Sequence, residues 1–482
     1  MKATYTLSRH LPPSSRRPRA ARWAAPALAW TVLACGTPPE PDGAPDSSSI
    51  LDDAALATSL TSALQARGYH VQPGSFEFLD LSSCCDTTCS GNNPSSPYAA
   101  FFVPPAPGQT AANPNPRPDG TSSSYRLRAD EAIVYLGTTA PAAAYYGFTP
   151  YLMERGDAAG ARKPIFASLS DTMNHLVLHT ETGAPFEQRA AIIVAADSVT
   201  AAQARAALQE AGVLDAGINL LTLDPAKGRF GIEQSADAFG VLFRMALVAD
   251  PVKKDAYLQN PGGTVLRITP SALRPPAPLP SPAPRPQASS PSEAGLTTAV
   301  NRLSTAITAA YPAYTARAVT VDEGVPDPDR CIQDLTFCGG DNPDTNYPGT
   351  TPRILFSSDD DFYIAFGVNH QATKKTVYSN VSVYALQKLV GLVSVASDRY
   401  AGSARRYLPQ DPAEPALYAW KIARVCNGEP FCLEVPKGAC PTGINNGELG
   451  TLTFRTYLEP SSKTAPLIST LVRDRILSFK RR

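Results

Sequence analysis

Histidine, methionine and tryptophan are scarce in this chain, at five, four and three of 482 residues. After residue 35 only His70, His175, His179 and His370 remain, which leaves little material for histidine-based metal or acid–base clusters. Net charge is absent as well, with 43 basic residues against 43 acidic ones. A neutral chain has no electrostatic footprint for nucleic acid, so no nucleic-acid partner is expected. No long apolar run follows residue 35, so no further membrane-spanning helix is expected. GxSxG, HExxH and P-loop motifs are all missing, and with them the serine-hydrolase, zincin and nucleotide-phosphate signatures. The turn Ala196-Asp197-Ser198-Val199 has no glycine to let a phosphate approach, which argues against a dinucleotide site. Asp197 there reads as a helix cap.

Proline is abundant, at 47 residues, and the chain carries one pattern twice. Cys89, Gly91, Asn93, Pro94 and Tyr98 match Cys338, Gly340, Asn342, Pro343 and Tyr347 at identical spacing. Upstream, Leu60 to Leu64 (LTSAL) answers Leu303 to Ile307 (LSTAI). Downstream, Asp130 to Gly137 (DEAIVYLG) answers Asp360 to Gly367 (DDFYIAFG). Three matches in one order on both sides of a proline-rich stretch predict an internal duplication.

Residues 1–35 read as an export signal. Arg16, Arg17, Arg19 and Arg22 precede the short apolar stretch Trp23 to Ala34. Val32-Leu33-Ala34-Cys35-Gly36 resembles the lipobox of bacterial lipoproteins, which implies lipidation of Cys35. The Arg16-Arg17 pair also raises twin-arginine export, although Pro18 and the lack of a following apolar pair weaken it. Residues 36–48, rich in proline, glycine, serine and acids, form a flexible tether.

Two α+β domains are expected beyond the tether. The first spans 49–269, with a disordered insert at 104–124; the second spans 292–482. Residues 270–291 form a polyproline linker between them. Each domain should hold a mixed β-sheet with flanking helices and be disulfide-bonded. Leu56, Leu60 and Leu64 mark an opening helix, with Ser49 and Asp52 as a capping box. Leu296 to Ala310 mark its counterpart, capped through Ser290 to Glu293. Ala132 to Leu136 and Phe362 to Phe366 are apolar on both faces and suit the middle of a sheet. The first half continues with a strand at Ala190 to Ala195, a helix at Thr200 to Ala211 with a Thr200/Gln203 capping box, and a strand at Ile218 to Leu223. A helix follows over Phe239 to Leu247, then a strand over Thr264 to Thr269. In the second half, Leu392 to Asp398 echoes the strand at Ala190. Strands near Leu417 to Val425 and Thr451 to Leu458 follow, and the spacing predicts an amphipathic helix over Leu467 to Phe479.

Removing Cys35 leaves eight cysteines: Cys84, Cys85, Cys89, Cys331, Cys338, Cys426, Cys432 and Cys440. An even set in an exported chain predicts disulfides. Three lie in the first half and five in the second, so full pairing needs a bridge between the halves. Cys331–Cys338 is one expected pair, and Cys84 or Cys85 with Cys89 another. The vicinal Cys84-Cys85 pair also raises a redox or soft-metal role.

Chemistry-bearing candidates are few. His370 follows a buried strand and is a candidate base. Asp359 and Asp361 face the same way on a strand, roughly 7 Å apart, as a carboxylate pair. Asn342, Asp344 and Asn346 alternate as in a calcium loop, without its glycine or closing glutamate. His175 and His179, read as a strand, lie too far apart for one metal ion. Tyr146, Tyr151, Tyr378 and Asn369 are ligand-binding candidates beside the aromatic-rich segments.

Together these features point to an exported, lipid-anchored protein of the bacterial cell envelope, facing the periplasm or the exterior. It is expected to act as a binding or structural module for a glycan or an envelope protein, with no cofactor beyond calcium at the Asn342 loop. The alternatives are a secreted hydrolase or lyase using Asp359, Asp361 and His370, and a redox protein using Cys84, Cys85 and Cys89.

Overall fold

Alternating burial builds two large mixed sheets with few helices. A computed structural model describes residues 47–81, 84–86, 88–322, 327–351 and 353–482, and the side chains of 47–52 fall outside that description. The export signal, Cys35, nearly all of the tether, and the Ser49/Asp52 cap therefore lie outside the described residues. Ser48–Arg482 pack as one compact unit.

The first half opens with α1 (Ser47–Ala66) and adds β1 (Tyr69–Phe78), β2 (Tyr98–Phe102), β3 (Ala132–Thr138), β4 (Ala143–Gly156) and β5 (Arg162–Ser168). β6 (Arg189–Ala195), α2 (Ser198–Glu210), β7 (Ile218–Thr222), β8 (Ala238–Val248), α3 (Pro251–Gln259) and β9 (Thr264–Pro270) complete it. The second half has α4 (Thr297–Ala309), β10 (Tyr314–Asp322), α5 (Pro328–Asp334), β11 (Gly349–Thr351), β12 (Phe362–Val368) and β13 (Tyr378–Ala385). It ends with β14 (Val390–Ala396), β15 (Leu417–Ala423), β16 (Cys432–Glu434), β17 (Leu449–Tyr457) and β18 (Arg475–Arg481). Two-residue segments at Met173–Asn174, Thr345–Asn346 and Ile354–Leu355 pair at the side of each sheet.

The strand order is 5-4-8-2-1-9-3-6-7 in the first sheet and 14-13-17-11-10-18-12-15-16 in the second. Adding nine to each number of the first order gives the second. Pairing directions agree too: the final pairs, β6 with β7 and β15 with β16, are parallel, and the other pairs are antiparallel. In the first half α2 bridges the parallel strands; in the second a Cys426–Cys432 disulfide closes that connection.

Each first strand changes partner midway. Tyr69 to Gly74 of β1 pair with β9, and Ser75 to Phe78 pair with β2. Gly74 sits at the switch, where a Cβ would meet the Phe102 carbonyl oxygen at 2.4 Å. β10 repeats the switch, pairing with β18 up to Val319 and with β11 from Thr320. Each sheet thus folds into two layers around a core, as strands that turn a corner do. Phe76, Phe101, Tyr135, Phe148 and Phe243 fill the first core; Tyr363, Val383, Trp420 and Phe454 fill the second. Helices cover the outer faces. Leu60 and Leu64 of α1 and Ala204 and Leu208 of α2 pack on Val134, while Val300, Leu303 and Ile307 of α4 pack on Ile364.

Several expected elements take another form. Phe239 to Leu247 is β8, not a helix, because Phe239, Val241, Phe243 and Met245 alternate into one core at the strand period. Leu467 to Phe479 is a 3₁₀ turn at Ile468–Thr470 followed by β18, with Ile476 and Leu477 entering different cores. His175 lies in a turn after Met173–Asn174 rather than on a strand. Val390–Ala396 occupies the position of β5, and Leu417–Ala423 that of β6. Asp197 caps α2 through a bond from Thr200 N–H, in place of the expected Thr200/Gln203 box. Residues 104–124 carry ordered bonds, including the Val103–Ser122 bridge and the buried Asn113. The linker lies along the first half, where Leu279 N–H donates to the Ala196 carbonyl and Arg274 pairs with Asp197.

Candidate functional site

The repeated cysteine loops are where the halves exchange contacts. The first loop docks on the second sheet: Cys89 and Gly91 N–H groups donate to the Lys388 and Leu389 carbonyls, both at 2.8 Å. The second loop docks on the first sheet: Cys338 and Gly340 donate to Ile165 and Phe166, at 2.7 and 2.9 Å. Both receiving residues hold a left-handed backbone, Phe166 at φ 48° and Leu389 at φ 49°. Gly91 and Gly340 are left-handed too, at 70° and 71°, which suits glycine.

The asparagines repeat the exchange. Asn93 Oδ1 accepts from Ser95 N–H at 3.1 Å, and Asn342 Oδ1 from Asp344 N–H at 2.9 Å. Asn93 Nδ2 donates to the Tyr378 hydroxyl and Asn342 Nδ2 to the Tyr145 hydroxyl, both at 3.1 Å. Asn92 Oδ1 accepts from Gly391 N–H at 2.9 Å, as Asp341 Oδ1 does from Ser168 N–H at 2.8 Å. A Cys85–Cys440 disulfide ties the halves covalently.

One arginine from each sheet completes the pattern. Arg244 on β8 donates to the Gly340 carbonyl at 3.0 Å and to Thr149 Oγ1 at 3.3 Å. Arg455 on β17 donates to the Gly91 carbonyl at 2.9 Å and to Ser382 Oγ at 3.5 Å. Arg244 lies over the rings of Tyr98 and Tyr151, at 5.5 and 5.4 Å. Arg455 lies over Tyr347 and Tyr384, both at 5.4 Å. Both arginines are only 4% exposed. Among the described residues, no carboxylate forms an ion pair with either guanidinium. Burial works against their charge, but the surrounding tyrosines hold both groups firmly protonated. Burial in turn raises the phenols of Tyr151, Tyr347 and Tyr384, so they remain neutral hydrogen-bonding groups.

Both arginines line one cavity of about 200 Å³, together with Tyr98, Tyr347 and Tyr457. Leu79, Leu81, Met153, Val241 and Leu242 give it an apolar wall. A second cavity of about 340 Å³ adjoins it and shares Ser90, Gly91, Gly339, Gly340, Tyr347 and Arg455. The arrangement offers charge-assisted donors and aromatic faces inside a partly enclosed space.

The residues singled out in the sequence fall in different places. Tyr151 joins this site, donating to the Asp341 carbonyl at 2.6 Å. Tyr378 sits at the interface through Asn93. Tyr146 is in the first core, donating to the Pro185 carbonyl. Asn369 is buried in a turn, where its Oδ1 accepts from Gln371 N–H.

His370 and the aspartates are not brought together. Asp361 precedes β12 and His370 follows it, so the strand separates them by roughly 20 Å. Asp359 is exposed and pairs with Lys437; Asp361 pairs with Lys480. His370 is instead clamped between Glu293 (2.9 Å) and Asp474 (3.5 Å). Glu293, expected as a helix cap, turns inward to this histidine. Burial opposes the imidazolium charge, yet Asp474 and Glu293 push its pKa up to about 10.

The cysteines pair as Cys84–Cys89, Cys85–Cys440, Cys331–Cys338 and Cys426–Cys432. The sulfurs of Cys84, Cys85 and Cys89 cluster within 4.8 Å, but all are spent in these bridges. At the calcium-like loop, Asn342 accepts from Thr172, and Asp344 accepts from Asn174 and Tyr145. Asn346 donates to Thr456 and to the Pro466 carbonyl.

Arg244 and Arg455 escaped the sequence reading. Their signal is Phe-Arg at the same place in each sheet, Phe243-Arg244 on β8 and Phe454-Arg455 on β17. No protein-family model matches the chain, and no curated protein matches it. Among solved structures, the chain is similar to an uncharacterized protein from Burkholderia cenocepacia, at 11% identity and a TM-score of 0.38 over 91% of each chain.

Proposed function

We propose that this chain is an exported, lipid-anchored protein of the bacterial cell envelope that acts as a binding module. Two copies of one ancestral α+β domain form it, and its ligand, a group on a glycan or a protein, sits in the cleft between them. The duplication is supported by the shared order of nine strands and by the matched loop contacts. Chance convergence gives no reason for Arg244 and Arg455 to meet equivalent glycine carbonyls.

The observation that carries the binding reading is the pair of buried guanidiniums lining one cavity with no direct carboxylate ion pair among the described residues. Taking such a cation out of water costs several kcal/mol, so a wholly structural role would be served more cheaply by apolar side chains. The anchor rests on Cys35 and the tether. A hydrolase or lyase using Asp359, Asp361 and His370 is not favoured by any contact among those three.

Glycan and peptide arrays probed with the full chain test the module. The expected result is a ligand whose signal falls in Arg244→Gln; silence on both arrays contradicts it. Detergent-phase partitioning tests the anchor, with Cys35→Ser expected to move the protein into the aqueous phase.

A further inference from the structure

The cleft also specifies a chemical class. Resting on the binding reading above, we infer that the cavity holds an organic carboxylate whose body is a single ring or short chain, with its acid group between Arg244 and Arg455.

Charge comes first. Each guanidinium has five N–H donors, and the described contacts engage a glycine carbonyl, a hydroxyl and a tyrosine, Tyr151 for Arg244 and Tyr384 for Arg455. The donors left over belong to groups that line the cavity, and although Arg244 lies within electrostatic reach of Asp341, neither guanidinium forms a direct ion pair among the described residues. A planar fork facing a planar acid is the favoured geometry for bidentate bonding. Two such forks, one from each half, suit an acid that touches both.

Size and polarity come next. At about 200 Å³ the cavity is smaller than the roughly 300–1,000 Å³ typical of drug-sized sites. One wall is Leu79, Leu81, Met153, Val241 and Leu242, which favours a carbon body over a fully hydrated inorganic ion. Tyr98 and Tyr347 supply ring faces beside the cations, where a flat ligand stacks. Arginine forks also suit phosphate, so the apolar wall and the small volume are what favour a carboxylate with a carbon body here.

The test is calorimetry on the full chain with benzoate, hexanoate, benzamide and inorganic phosphate. Benzoate or hexanoate should bind, with benzamide and phosphate each at least tenfold weaker. Arg244→Gln and Arg455→Gln should each weaken that binding at least tenfold. Arg244→Lys and Arg455→Lys keep the charge and guard against misfolding, and they should weaken it less. The inference is overturned if neither acid binds, if benzamide or phosphate binds as well, or if folded glutamine variants bind unchanged. An array ligand still lost in Arg244→Gln would then leave the cleft standing and remove only the carboxylate. An array ligand indifferent to Arg244 would remove the cleft itself.

Discussion

At the scale of single residues, partners decide roles that sequence leaves open. His370 was legible as a histidine just past a buried strand, but neither its own burial nor its neighbours were. Glu293 and Asp474 lie 77 and 104 positions away, and no local pattern joins them. Their hydrogen bonds and charge overcome burial and hold the imidazolium up to about 10, above its ordinary 6.5. A raised histidine contributes stability in full below its unfolded pKa and loses it as pH climbs through the folded one. Unfolding free energy should therefore decline between about pH 6.5 and 10, and His370→Gln should lack that decline. At low pH the same variant should cost about 3–5 kcal/mol, because two buried carboxylates lose their cation. Chemical denaturation of both proteins across this range checks it.

At the scale of elements, the twin loops were readable because glycine, asparagine and proline mark turns by their own chemistry. β3 and β12 were readable because both faces are apolar. β8 was not, since a buried strand with an apolar residue at nearly every position also satisfies a helical spacing. That misreading hid Arg244, which a strand places on the face opposite Phe243. The loops themselves make a prediction. Burial raises Asp341 to about 6 and Asp344 to about 7, against the opposing bonds from Ser168 and from Asn174 with Arg285. A carboxyl raised in the folded state holds its proton more tightly there, so stability falls as pH rises from the ordinary 3.8 through these values. The matching loop of the first half has Asn92 where this loop has Asp341, with the same backbone bond. Asp341→Asn should fold and should remove Asp341's share of the slope, which runs between about pH 4 and 6. Urea titrations at both ends of that window measure it, and an unchanged slope would contradict the assignment.

At the scale of the molecule, full pairing of the cysteines called for a bridge between the halves, and Cys85–Cys440 is that bridge. It closes a chain separation of 355 residues. Chain entropy alone would give so long a loop roughly 6 kcal/mol, and cross-links typically deliver about 2–4 kcal/mol. The double variant Cys85→Ser, Cys440→Ser should lose about that much in equilibrium unfolding while keeping both sheets. Spacing alone did not reveal which sulfur crosses, because the contact depends on how the loops dock. The repeated order of motifs was visible in the sequence, and the exchange of loops between the two sheets was not.

The most direct measurement of the central proposal is a crystal structure of the full chain soaked with benzoate. Density for the acid is expected between the Arg244 and Arg455 guanidiniums, with its ring against Tyr98 or Tyr347. Density at other residues, or a cleft unaltered at saturating benzoate, would contradict it.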